Sequence, residues 1–200
     1  MAIDLNYVNS ALTRTGNGSI TQFNDGSAPS NVAGKNYDNL VKTSLTSHPW
    51  RWATKTRILT ALTGDPDPPW LKGYQIPNDL LFLRVVTVDG RPIDYEQQFN
   101  KILCMYDTSV EVIAKYTWNV PETYWPGDFG EAITQALEAI FLRGIGERYQ
   151  EAEARGKDAA RALQAAKTND AKRASPHDPF VSGTLAARSG AIAMPPLPWR

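Results

Sequence analysis

The stretch that decides the fold runs from Asp128 to Arg173, DFGEAITQALEAIFLRGIGERYQEAEARGKDAARALQAAKTNDAKR. Asp128 has the short acceptor side chain of a helix N-cap, and Glu131, three residues on, is placed to close a capping box. Ile133, Leu137, Ile140, Phe141 and Ile145 then recur at helical spacing and make one apolar stripe. A second helix follows with a different face. Tyr149, Ala152, Gly156, Ala159, Leu163 and Ala166 fall three and four residues apart, and most are small. Such a stripe buries little surface but lets another backbone approach closely. Outward, Glu151 with Arg155 and Glu153 with Lys157 are i,i+4 pairs in the favourable order, acid first. The break between the helices falls at Gly144 and Gly146 or nearer Gly156.

Upstream, Asp4 can cap a first helix carrying Leu5, Val8, Ala11 and Leu12, ended by Gly16 and Gly18. Ser30 can cap a second with Ala33, Tyr37, Leu40, Val41 and Leu45, stopped at His48-Pro49 because proline excludes the preceding residue from the α region. From Trp50 the period changes to two. Trp50, Trp52, Thr54, Thr56, Ile58 and Thr60 alternate with Arg51, Ala53, Lys55 and Arg57, which predicts a half-buried strand running toward Leu62. Asp65 to Pro69 is an exposed loop. Leu80–Val88 reads as a strand turned by Asp89-Gly90, and Ile93–Gln97, Lys101–Met105 and Val110–Tyr116 complete a small antiparallel sheet. The fold class expected is α+β, mainly α. Residues 1–49 and 123–173 would form a four-helix bundle, residues 50–122 a β insertion between helices 2 and 3, and residues 174–200 an extended C-terminal tail. That tail is rich in Pro, Gly, Ala and Ser, yet carries the spaced anchors Phe180, Val181, Leu185, Leu197 and Trp199.

Composition excludes several functions. Lys plus Arg and Asp plus Glu both number 21, so the formal charge is zero, which argues against a protein that coats nucleic acid. The single Cys104 rules out an internal disulfide and a Cys-based zinc cluster, and its apolar setting marks a small core residue. No apolar run reaches the roughly 18 residues of a membrane span, and no secretion signal is evident, so a soluble protein of a reducing compartment is expected. Catalytic constellations are missing from the pattern, and no cofactor is expected. His48 lies at a helix end and His177 in the tail, so no helix offers a metal a histidine pair. Gly34-Lys35 has Pro29 where a phosphate loop needs glycine. Glu131 and Glu138 read as a capping residue and a solvated one. Arg51, Lys55 and Arg57 would share a strand face opposite Trp50 and Trp52, so phosphate clamp and stacking platform would not coincide.

Four phrases carry a family resemblance. They are Leu45-Thr-Ser-His-Pro-Trp-Arg-Trp-Ala53; Tyr74-Gln-Ile-Pro-Asn-Asp79 leading into Leu80–Val85; Tyr116, then Trp125 and Phe129 ahead of Ala132; and Phe180-Val-Ser-Gly-Thr-Leu-Ala-Ala-Arg188. As an ordered set, from Val8 to about Arg188, the chain resembles the head-to-tail adaptors of short-tailed phages, the tail tubular protein A group. Pro195 to Arg200 has no counterpart in that match. The resemblance implies a structural virion protein without enzymatic activity. It would form a dodecameric ring between portal protein and tail nozzle protein, with DNA passing through the lumen without sequence specificity. The ring would stand at the head–tail junction of the virion, assembled in the host cytoplasm, with no membrane contact. On that reading Phe180, Val181, Leu185, Arg188, Leu197, Trp199 and Arg200 are portal-binding candidates. Ala152, Gly156, Ala159, Leu163 and Ala166 are candidates for the subunit interface, and Asp65, Asp67 and Trp70 for the nozzle side. Two alternatives stand beside it: a tail-associated glycan hydrolase, which needs two carboxylates in a cleft, and a DNA-binding packaging factor, against which the zero net charge weighs.

Overall fold

A computed structural model describes residues 5–64 and 66–173. Among the described residues four α-helices form, α1 (Asn6–Arg14), α2 (Ala28–Thr46), α3 (Gly127–Gly144) and α4 (Tyr149–Lys172), with a short 3-10 turn at Glu122–Tyr124. Between α2 and α3 lie seven strands: β1 (Thr54–Ile58), β2 (Lys72–Gln75), β3 (Leu80–Val88), β4 (Arg91–Pro92), β5 (Tyr95–Gln98), β6 (Lys101–Cys104) and β7 (Val112–Trp118). No helix among the described residues is long and apolar enough to cross a membrane.

The axis of the helical layer is α3. Its apolar stripe, Phe129, Ile133, Leu137 and Phe141, is buried, and α1, α2 and α4 all pack on it. The break before α4 falls at Gly144, not at Gly156. The start of α3 differs from the expected capping box. Pro126 holds the N-cap position without a side-chain cap, and Asp128 sits inside the first turn, its Oδ1 accepting the Phe129 N–H at 2.9 Å. Glu131 does not reach back, because Arg14 of α1 binds it instead at 2.7 Å. The second helix also starts early. Ser27 is the cap, accepting the Ser30 N–H at 3.3 Å, with Pro29 in the first turn where its missing N–H costs nothing. Ser30, the expected cap, is buried inside the helix. Its hydroxyl donates to the Gln22 carbonyl and accepts from the Asp25 N–H. Asp4, the expected cap of α1, lies outside the described residues.

The four-helix bundle with a small β insertion does not form. Strands hold 21% of the described residues against 43% in helices, and they build two antiparallel sheets with their own core. One sheet has the order β1-β7-β3-β4, the other β2-β6-β5. Leu83, Val86, Val112, Ala114 and Tyr116 of the first share a buried cluster with Tyr74, Ile102 and Cys104 of the second. The sheets therefore pack on each other and need no helix to cover their inner faces. Asp89 and Gly90, at φ 49° and 76°, make the expected hairpin turn between β3 and β4. Residues after it cross to the second sheet, where β5 pairs with β6, which pairs with the unexpected β2.

The expected strand from Trp50 begins only at Thr54, and residues 50–53 form a turn. Trp50 is 1% exposed, belongs to the helical core, and donates Nε1–H to the Ser44 carbonyl at 3.0 Å. Its ring meets Phe129 edge-on at 5.1 Å, and Phe129 in turn meets Trp52 and Trp125. Indole rings find more apolar volume between helices than on a sheet edge, so a turn that delivers them there wins over the strand. Trp118, at the end of β7, packs against both cores and joins the layers.

Candidate functional site

Where α2 ends, the chain turns into β1 beside the last turn of α4, and a notch of about 540 Å³ opens there. His48, Pro49, Arg51, Thr54, Arg84, Val85, Lys115, Asp170 and Ala171 line it. Arg84, on β3, is fixed by neutral acceptors: Nε–H donates to Thr117 Oγ1 at 2.9 Å, and Nη2 donates to the carbonyls of His48 at 2.7 Å and Thr46 at 3.3 Å. It thereby caps the C-terminus of α2, an arrangement that suits a cation. Burial holds its pKa below the ordinary arginine value. Asp170, 2% exposed, accepts the Arg51 backbone N–H at 3.0 Å through Oδ2, which also lies 3.5 Å from His48 Nε2. Among the described residues its Oδ1 is buried with no hydrogen-bond partner. Burial lowers the His48 pKa below the usual histidine range, with Lys167 and Arg84 adding to that and Asp170 opposing it. The imidazole is therefore mainly neutral at pH 7.

A second polar cluster joins α1, α3 and α4. Glu138, expected to be solvated, is 3% exposed and lies between Arg14 at 3.1 Å and Arg155 at 3.5 Å. Arg14 also binds both oxygens of Glu131. The Glu131 carboxyl is held below its ordinary range, chiefly by the Arg14 hydrogen bond, and Arg14 is raised by the same contact. The arginine keeps Glu131 ionised, and by bridging Glu131 and Glu138 it ties α1 to α3.

The expected site residues scatter. Ala152, Ala159 and Ala166 are buried within the chain, so their close-packing capacity is used against the chain's own helices. Leu163 is half-buried against the helical core. Gly156 is exposed, and a Cβ there would meet no atom of the described residues within 4 Å. It borders an open groove of about 700 Å³ lined by Val32, Ile140, Gly144, Ala152 and Ala160 among others. Asp67 is exposed, while Trp70 donates its Nε1–H to Glu96 Oε2 at 2.8 Å and ties the proline-rich loop to β5. Asp65 and the tail candidates Phe180, Val181, Leu185, Arg188, Leu197, Trp199 and Arg200 lie outside the described residues. Two carboxylates, Asp67 and Glu96, flank a cavity of about 380 Å³. Both Glu96 oxygens already accept hydrogen bonds, from Trp70 and Gln98. Among the described residues no group of His, Cys, Asp and Glu is placed to hold a metal ion. The Asp170–His48 contact and the Glu138 burial were not readable from sequence, since each partner comes from a distant element.

No protein-family model matches the chain, and comparison with curated proteins gives no match.

Proposed function

We propose that this protein is a structural virion subunit, a head-to-tail adaptor that forms a ring between the portal and the tail nozzle around the DNA channel. One observation carries the reading beyond the phrases themselves: stretches that resemble the adaptor family, though far apart in sequence, interlock in space. Leu45 and Trp50 from the first share one core with Trp125 and Phe129 from the third. Asp79 from the second accepts the Tyr116 hydroxyl at 2.9 Å and Lys55 Nζ at 2.7 Å. Residues that hold each other in place are those a shared fold would keep together, and this supports the resemblance as one of fold. The fourth stretch, 180–188, lies outside the described residues.

The ring would be homo-oligomeric, with portal and nozzle proteins as partners and the head–tail junction as its place. For the subunit contact, Gly156 and the groove beside it are now better candidates than Ala152, Ala159 and Ala166, which are occupied within the chain. Asp67 stays the exposed candidate on the nozzle side. The test is co-sedimentation of full-length and 1–173 protein with the cognate portal, followed by imaging of the pellets. A ring on the portal formed by the full chain is the expected result, and its loss on truncation assigns the anchor to residues 174–200. Binding by neither form overturns the adaptor reading.

A further inference from the structure

The notch between the layers has an unbalanced charge. Arg51, Arg84 and Lys115 line it against the single carboxylate of Asp170, with His48 mainly uncharged. Among the described residues none of these three cations forms an ion pair. In a chain of zero net charge, most other basic groups near the helices are neutralised: Lys42 by Asp38, Lys55 by Asp79, Arg14 by two glutamates. Two features oppose an anion here. Asp170 is negative, and the C-termini of α2 and α4 both end at the notch. The first is only partly met: the Arg51 N–H and His48 lie against Oδ2 as uncharged donors, Oδ1 has no partner among the described residues, and the carboxylate cancels one of the three cationic charges. The second is offset at α2 by Arg84, which takes its terminal carbonyls, while the α4 terminus keeps its partial negative charge. Three cations against one carboxylate leave the notch a net charge of two positive, with Arg51 and Lys115, both exposed and on different elements, at its mouth.

We propose that this notch seats a phosphate group, with Arg51 and Lys115 as its direct contacts and Arg84 as a fixed positive charge behind them. A planar guanidinium and an ammonium carried by a turn and a strand on the rim of one notch suit a tetrahedral oxyanion, which accepts hydrogen bonds on several sides. The phosphate has two possible sources, free in solution or in the backbone of DNA, and the chemistry of the seat is the same for both. The DNA source rests on the adaptor reading; the seat itself does not.

The test uses the full chain. Backbone amide shifts are followed by NMR during titration with inorganic phosphate, with sodium chloride at matched ionic strength as control, in the parent and in R51Q/K115Q. Neither side chain supports the fold through a described hydrogen bond, and the thermal midpoint of the variant checks that it is folded. K115Q alone replaces it if the midpoint falls. Saturable shifts at Thr54, Val85 and Lys115 that chloride does not reproduce, weakened about tenfold in the variant, are expected. No saturable shift, or an equal titration in the variant, overturns the seat. A second arm measures binding of a short DNA duplex against salt. A salt slope lower by about two in the variant assigns the seat to backbone phosphates, at about 0.9 per contact. An unchanged slope with phosphate binding retained assigns it to free phosphate. Failure to bind portal in the separate sedimentation experiment would remove the adaptor reading and leave this result standing.

Discussion

Gly130 faces the ring of Tyr7, and a Cβ at that position would lie 2.5 Å from Cε1 and 2.7 Å from the hydroxyl. Tyr7 cannot swing away freely, because it stacks on Trp125 at 5.3 Å. G130A should therefore lose about 1–3 kcal/mol by overpacking, read by urea unfolding, with the near-ultraviolet tryptophan signal altered. An unchanged midpoint would mean that Tyr7 relocates without cost. Glu138 tests another residue-level point. Its carboxylate is buried, but Arg14 and Arg155 are 44% and 52% exposed and can rehydrate when it is neutralised. E138Q should cost about 1–2 kcal/mol, short of the ~3–5 of a pair in which both charges are buried. Neither site is legible in the sequence. Glu138 differs in no local way from a solvated acid, and its partner Arg14 lies 124 residues away.

At the scale of elements, α4 shows why small residues gave an incomplete message. The spacing of Ala152, Ala159 and Ala166 announces a close approach of some backbone, but not whether that backbone belongs to the same chain. Here it does. A159L and A166L would each overpack the chain's own helical layer at about 1–3 kcal/mol, so lost assembly in those variants would reflect damaged folding. Gly156 separates the two effects. With open space around it in mid-helix, G156A should gain roughly 0.5–1 kcal/mol of stability. If a neighbouring subunit packs there, the same variant weakens the ring, measured by sedimentation velocity, while its thermal midpoint rises. The helices were legible because their apolar faces repeat over several turns. The strands were less so: the period-two run at Trp50 belongs partly to a turn, since the pull of a helical core on two indoles outweighs local alternation. Lys72–Gln75 was invisible because Gly73 and Tyr74 are consecutive buried residues, supplied with cover from both sides by Leu103 and the inter-sheet core.

For the whole molecule, the expected bundle gave way to two layers because seven strands can bury their inner faces against each other. The layers are joined at Trp118, and the seam around Asp79 in the first sheet braces that residue. Asp79 Oδ2 holds Lys55, whose ammonium lies 3.3 Å over the ring of Trp118, the residue that touches both cores. Asp79 Oδ1 holds the Tyr116 hydroxyl. Partial burial pushes the Asp79 carboxyl up, but the hydrogen bonds from Lys55 and Tyr116 outweigh it and the net shift is downward from 3.8. A carboxylate whose folded pKa lies below its unfolded one binds protons more readily when unfolded. Its stabilisation is therefore fully present above about pH 4 and is lost as pH falls through the folded value. With the pair about one-third exposed, that stabilisation is on the order of 1 kcal/mol. D79N should be less stable than the parent at pH 7 and should converge with it as pH drops below 3.8, as measured by urea midpoints at a series of pH values. Hydrogen exchange at pH 7 should also show β1 and the Trp118 end of β7 opening before the rest of the sandwich in D79N. A constant gap between the two proteins at every pH would show that the seam is held by packing around Trp118 alone.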